Sequence, residues 1–163
     1  MISGFSVAVF LLLCLLALAA YVDRIYFEMG KFLSREYTEN IDAWERWVEP
    51  KLRLSRESSA MSASVLRQIA LVALVFLLAM RLQGKIGHTP DQIVRTVFEL
   101  VLVLLIFDRL LPQIFFTKTR GEWIARIAVL IRMLFYLVLP LTLTIELLLS
   151  VAEEGTADRT PFR

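Results

Sequence analysis

The stretch that most constrains this chain is residues 94–116, VRTVFELVLVLLIFDRLLPQIFF. It is an apolar run that holds one acid, Glu99, and closes on the charged pair Asp108 and Arg109, with Pro112 three residues beyond Arg109. About 20 residues of this character cross roughly 30 Å of hydrocarbon, so the run reads as a membrane helix. Charges are costly inside a bilayer and a proline removes a helix hydrogen bond. The charged pair followed by Pro112 therefore marks a place where the helix is interrupted.

The rest of the chain extends this pattern. Residues 2–22 carry no charge and are long enough to span, and no basic stretch precedes them, so they read as a retained helix rather than a cleaved leader. Ile69 to Met80 lies between Arg67 and Arg81 and is too short to cross alone. A span over about 61–82 must borrow the small residues ahead of it and let both arginines snorkel to the interfaces. With 58% of the residues hydrophobic and three or four segments near spanning length, a soluble globule is disfavoured. The expected fold class is all-α: a polytopic membrane protein with about three transmembrane helices, at 2–22, 61–82 and 93–112, plus cytoplasmic or juxtamembrane amphipathic helices.

Residues 23–67 balance their acids and bases, yet Tyr26, Met29, Leu33, Tyr37, Ile41, Trp44, Val48 and Leu52 recur at three- and four-residue steps. That is one apolar helix face, broken near Pro50 and suited to a membrane interface or to a bundle packed beneath it. Trp44, Trp47 and Trp123 are expected interface anchors. Residues 83–92 read as a turn holding the chain's single histidine, His88. In residues 123–150, Arg126 and Arg132 recur among apolar positions and Pro140 interrupts them, which predicts an interfacial or re-entrant segment rather than a span. Residues 153–163 read as a polar tail.

Several functions are disfavoured. The net charge is +2 with the basic residues scattered, which gives nucleic acid no footprint. The one cysteine, Cys14, has no internal partner. No nucleophile and histidine share a recognisable pattern and no glycine-rich phosphate loop occurs, so an enzyme is not expected. Inside the third run, Glu99 is either an ion-path carboxylate or the partner of Arg95 one turn earlier, and the spacing favours the pair. The segments 23–67 and 108–132 are richer in Lys and Arg than residues 81–95, which places them on the cytoplasmic side of what is expected to be the plasma (inner) membrane. Three spans put the N-terminus outside and the C-terminus in the cytoplasm. If residues 133–152 cross as well, the tail moves outside.

The order of elements resembles the transmembrane domain of the CNNM/CorC family of magnesium transporters, which in longer members precedes a pair of CBS domains. The resemblance covers residues 1–152 as one domain by layout, and by residues it rests on LLIFDRLLPQIFFTKTRGEWIARIAVLIRMLFYLVLP, residues 104–140. There Phe107, Leu110, Leu111, Pro112, Phe135, Tyr136 and Pro140 fall in register with the family's proline-ended third helix and the run that follows it. The resemblance implies a homodimer in a lipid bilayer, a cytoplasmic regulatory domain or protein partner, and Mg²⁺ as the transported or bound ion. It also implies an ion path near Asp108, Glu99, Leu111 and Pro112.

The departures bear on mechanism. In the family an acid three residues before the proline, serines of the first helix and an asparagine of the second gather around the ion. This chain has Arg109 before the proline, Gln113 where the family has lysine after it, only Ser3 and Ser6 in the first helix, and no asparagine in 69–80. A guanidinium stays protonated, and at an effective dielectric of about 20 it repels a divalent ion a few ångströms away by several kcal/mol. Asp108 can replace the lost acid only if a local bulge swings it inward, since on a regular helix it points about 100° away. Two readings follow: a cation transporter with an altered or inactive site, or a non-transporting membrane scaffold or interaction subunit on the same plan.

Overall fold

The computed structural model describes residues 4–30, 38–83 and 90–157, and all the regular structure among them is helical. Helix α1 covers Gly4–Met29, α2 Thr38–Trp47, α3 Glu49–Leu52, α4 Arg56–Gln83 and α5 Pro90–Leu104. A π-helical turn, Leu105–Leu110, joins α5 to α6, Leu111–Lys118, and α7 runs over Ile124–Ala157. Four stretches are long and apolar enough to cross a membrane: Gly4–Met29, Arg56–Met80, Asp91–Lys118 and Ile124–Ala152. The protein is an all-α, polytopic membrane protein. The turn around His88, Leu33 and Tyr37 of the apolar stripe, Ser3, the Arg81 side chain and residues 158–163 of the tail lie outside the described residues.

Local chemistry sets the helix ends. The Ser58 backbone N–H donates to Ser55 Oγ at 3.1 Å, which caps α4, so the serine-rich stretch 55–64 begins the second long helix instead of forming a loop. Arg56 then holds Glu49 through Nε at 2.8 Å and Nη2 at 3.0 Å, and Glu45 at 2.9 Å, tying α2 and α3 to the start of α4. Pro50 sits in the first turn of α3, where its missing N–H costs nothing.

Helices α1 and α4 pack most extensively, in antiparallel sense, since Asp23 meets Arg67 while Leu16 meets Ala70 and Leu74. Ala17, Ala19 and Ala20 of α1 and Ala63 and Ala70 of α4 are buried, and small residues let two membrane helices approach closely. The larger core lies where the polar segments begin. Tyr21, Val22, Ile25 and Tyr26 of α1 meet Trp44, Val48 and Leu52, Phe116 of α6, and Ile124, Ala128, Ile131, Phe135 and Val138 of α7.

Two expectations are revised here. Residues 124–150 lie in one uninterrupted helix of 34 residues, Ile124–Ala157, about 51 Å long, and its Ile124–Ala152 stretch is long and apolar enough to cross a membrane. Its buried stripe runs from Ile124 through Ala128, Ile131, Phe135 and Val138 to Thr142, which shares a buried 3.1 Å hydrogen bond with Ser62 of α4. Arg126 lies off that stripe, and Arg132 stacks on Tyr136 at 5.4 Å, so neither charge interrupts the packed face. The helix also continues through the first residues of the expected polar tail, to Ala157.

The second correction concerns Trp44, which is a core residue rather than an interface anchor. It is fully buried, meets Tyr26 edge-on at 5.5 Å, and donates its Nε1–H to the Tyr26 hydroxyl at 3.2 Å. Trp47, one turn on, is exposed. Trp123 is half-buried against Tyr21 and Phe115 at 5.3 and 5.7 Å.

Candidate functional site

The interruption in the third apolar run is a π-helical turn, and Pro112 explains its position. A proline at 112 has no N–H for the carbonyls a turn earlier. The Leu111 N–H reaches back five residues to the Ile106 carbonyl, and the turn absorbs one extra residue. That extra residue rotates Asp108 relative to a regular helix and aims it at α4.

Arg67 is waiting there. Its Nε donates to Asp108 Oδ1 and its Nη2 to Asp108 Oδ2, both at 2.6 Å, while Nη1 donates to Asp23 Oδ2 at 2.9 Å. The bidentate geometry and short distances mark the strong class of charge-assisted bonds. The three side chains keep 28% (Asp23), 27% (Arg67) and 14% (Asp108) of their exposure, so the triad is largely withdrawn from its surroundings. All three sit where an apolar stretch meets a polar one. Asp23 is the first charge after the uncharged run of α1, Arg67 the last before the apolar run of α4, and Asp108 the first after that of α5.

A cleft of about 490 Å³ opens beside the triad, lined by Asp23, Arg24, Arg67, Asp108 and Arg109 together with Ala20, Tyr26, Phe27, Ala60 and Pro112. Arg24 approaches Glu28 at 3.6 Å and lies over the Phe116 ring at 5.8 Å, yet its Nε is buried with no hydrogen-bond partner. Arg109 is exposed and makes no ion pair with a described residue.

The sequence-predicted positions separate into two places. Asp108, Arg109 and Pro112 line this cleft. Leu111 is half-buried beside it, and Gln113 is half-buried with its backbone carbonyl accepting from Thr117 Oγ1 at 3.0 Å. Glu99 does not join them. It accepts from Arg95 Nε at 2.9 Å, the i,i+4 pair that the spacing favours, and lines a separate apolar cavity with Leu13, Leu74 and Val103. Among the described residues no three His, Cys, Asp or Glu side chains converge as a metal site would require.

Sequence reasoning missed Asp23, Arg24 and Arg67 as members of one site, having assigned Arg67 to snorkelling. The available signal was topological. Helices that alternate in direction bring the end of the first apolar run, the start of the second and the end of the third to one level.

A further unanticipated residue, Asn40, braces the same end of the bundle. Buried on α2, it accepts from the Tyr21 hydroxyl at 2.9 Å and donates Nδ2–H to the Phe116 carbonyl at 2.6 Å. That carbonyl belongs to the last turn of α6, where helix carbonyls lack intrahelical partners. Gly121 lies against Asn40 at φ +72°, a left-handed conformation that glycine adopts without penalty.

Comparison with known proteins returned no match: no family model, no curated protein and no solved structure is significantly similar to this chain.

Proposed function

We propose that this chain is a membrane scaffold or interaction subunit whose plan resembles the CNNM/CorC transmembrane domain, and that it does not carry Mg²⁺. The observation that carries this reading is the hold of Arg67 on both oxygens of Asp108 and on Asp23. Mg²⁺ needs near-octahedral oxygen ligands, usually including carboxylate. Here the chain supplies its own cation to the two acids of the cleft, and a guanidinium keeps its charge. An arriving divalent ion must displace Arg67 and then meets Arg24 and Arg109 in the same cleft. At an effective dielectric of about 20, each such charge a few ångströms away opposes it by several kcal/mol.

The same proposal places the basic segments 23–67 and 108–132 at the cytoplasmic face of the plasma membrane, with a homodimer as the assembly. If α7 crosses as the fourth helix, both chain ends lie outside.

Thermal unfolding in neutral detergent, followed against Mg²⁺ from micromolar to tens of millimolar with Ca²⁺ and Na⁺ as controls, tests the reading. A ligand of the folded state alone stabilises by RT ln(1 + [L]/Kd). The wild type is expected to show no saturable, Mg²⁺-selective rise, and Arg67→Met, which frees both carboxylates, to gain one. A selective rise in the wild type that Asp108→Asn removes would overturn the proposal and leave the cation-transport reading in its place.

A further inference from the structure

We infer that the cleft beside the Arg67 triad binds a phosphate group, carried either by a lipid headgroup or by a small soluble phosphate. The charges of the lining favour an anion. Arg24, Arg67 and Arg109 face the cleft against Asp23 and Asp108. Both oxygens of Asp108 and one of Asp23 are committed to Arg67, and the three guanidinium groups of the lining outnumber its two carboxylates. The Nε of Arg24 is buried without a hydrogen-bond partner, so Glu28 and the Phe116 ring leave this guanidinium incompletely satisfied. Arg109 adds a guanidinium that no described residue neutralises, and its planar fork matches phosphate oxygens.

Size and position agree with the charge. About 490 Å³ falls within the range of small-ligand sites, about 300–1,000 Å³. Ala20, Phe27, Ala60 and Pro112 supply an apolar wall next to the guanidinium groups, as an esterified phosphate with a hydrocarbon part requires. The cleft lies where three apolar runs end, the level at which a bilayer presents its phosphates. The π-helical turn gives the geometry its purpose: by turning Asp108 onto Arg67 it pins that side chain on one wall and leaves Arg24 and Arg109 on the others. The inference rests on the reading that Arg67 remains in the cleft, and a Mg²⁺ titration in the same series distinguishes failure of that reading from failure of this one.

The experiment uses the full chain in neutral detergent, with thermal unfolding followed against inorganic phosphate at constant ionic strength and, separately, against short-chain phosphatidylglycerol with phosphatidylcholine as control. Each probe is read on the wild type, on Arg24→Gln and Arg109→Gln, and on Arg126→Gln, an exposed arginine on α7 that does not line the cleft. At least one probe should stabilise the wild type saturably. Loss of one charge-assisted contact weakens binding about tenfold or more, so Arg24→Gln and Arg109→Gln should shift the midpoint by that factor while Arg126→Gln leaves it in place. A response to phosphatidylglycerol alone identifies a lipid headgroup, and a response to inorganic phosphate identifies a soluble ligand. No response from either probe overturns the inference, as does an equal loss in Arg126→Gln, which would mean diffuse surface charge.

Discussion

Replacing Arg67 by methionine, which keeps most of the side-chain length and removes the charge, exposes what the triad contributes. The variant leaves the Asp23 and Asp108 carboxylates facing each other with no cation between them. Truncating one partner of a fully buried ion pair costs about 3–5 kcal/mol. An exposed pair is worth at most about 1 kcal/mol. Side chains that retain between 14% and 28% of their exposure fall between these limits, so Arg67→Met should lose about 2–3 kcal/mol. The loss arises from stranded acids rather than from packing, and removing them should restore it. The triple variant Asp23→Asn, Arg67→Met, Asp108→Asn should therefore recover most of the stability. Equilibrium unfolding in mixed detergent micelles gives both numbers. A single variant within about 0.5 kcal/mol of the wild type, or a triple variant no better than the single one, would refute the claim that the guanidinium neutralises a carboxylate pair.

Other positions test the parts that hold the triad. Pro112→Ala restores the missing backbone donor and permits a regular helix through 105–112. Asp108 should then turn off α4, and the Arg67–Asp108 coupling in a double-mutant cycle should fall below about 0.5 kcal/mol. Asn40→Ala removes the acceptor of the Tyr21 hydroxyl and a donor to the Phe116 carbonyl, and should cost about 1–3 kcal/mol in the same unfolding assay. Gly121→Ala forces a side chain into φ +72° with its Cβ 2.9 Å from Asn40 Oδ1, and should cost more than the roughly 1 kcal/mol of the backbone conformation alone.

What the sequence conveyed follows from how local each signal is. Apolar runs announce membrane helices without any knowledge of neighbours, and Pro112 behind a charged pair announces a break because a proline's missing N–H is a local fact. The apolar stripe through Tyr26, Trp44, Val48 and Leu52 was legible as a face, but periodicity does not say what covers a face, and the tryptophan suggested lipid where the structure has Tyr26. Asn40 looked like any polar residue on a charged helix, since its partners stand 19 and 76 positions away. The partners of Arg67 are likewise 44 and 41 positions distant. An arginine at the end of an apolar run satisfies the snorkelling rule equally well whether it meets headgroups or carboxylates. In residues 123–150, charges and a proline lowered the apolar average of a helix whose buried stripe they do not touch.

Flux through the reconstituted protein tests the central claim most directly, because binding of an ion and passage of an ion are different events. With the full chain in liposomes loaded with a fluorescent Mg²⁺ indicator and an inward Mg²⁺ gradient imposed, the indicator signal should rise no faster than in protein-free liposomes. A protein-dependent Mg²⁺ influx that Asp108→Asn abolishes would contradict the account, and would mean that Arg67 leaves the two carboxylates during transport.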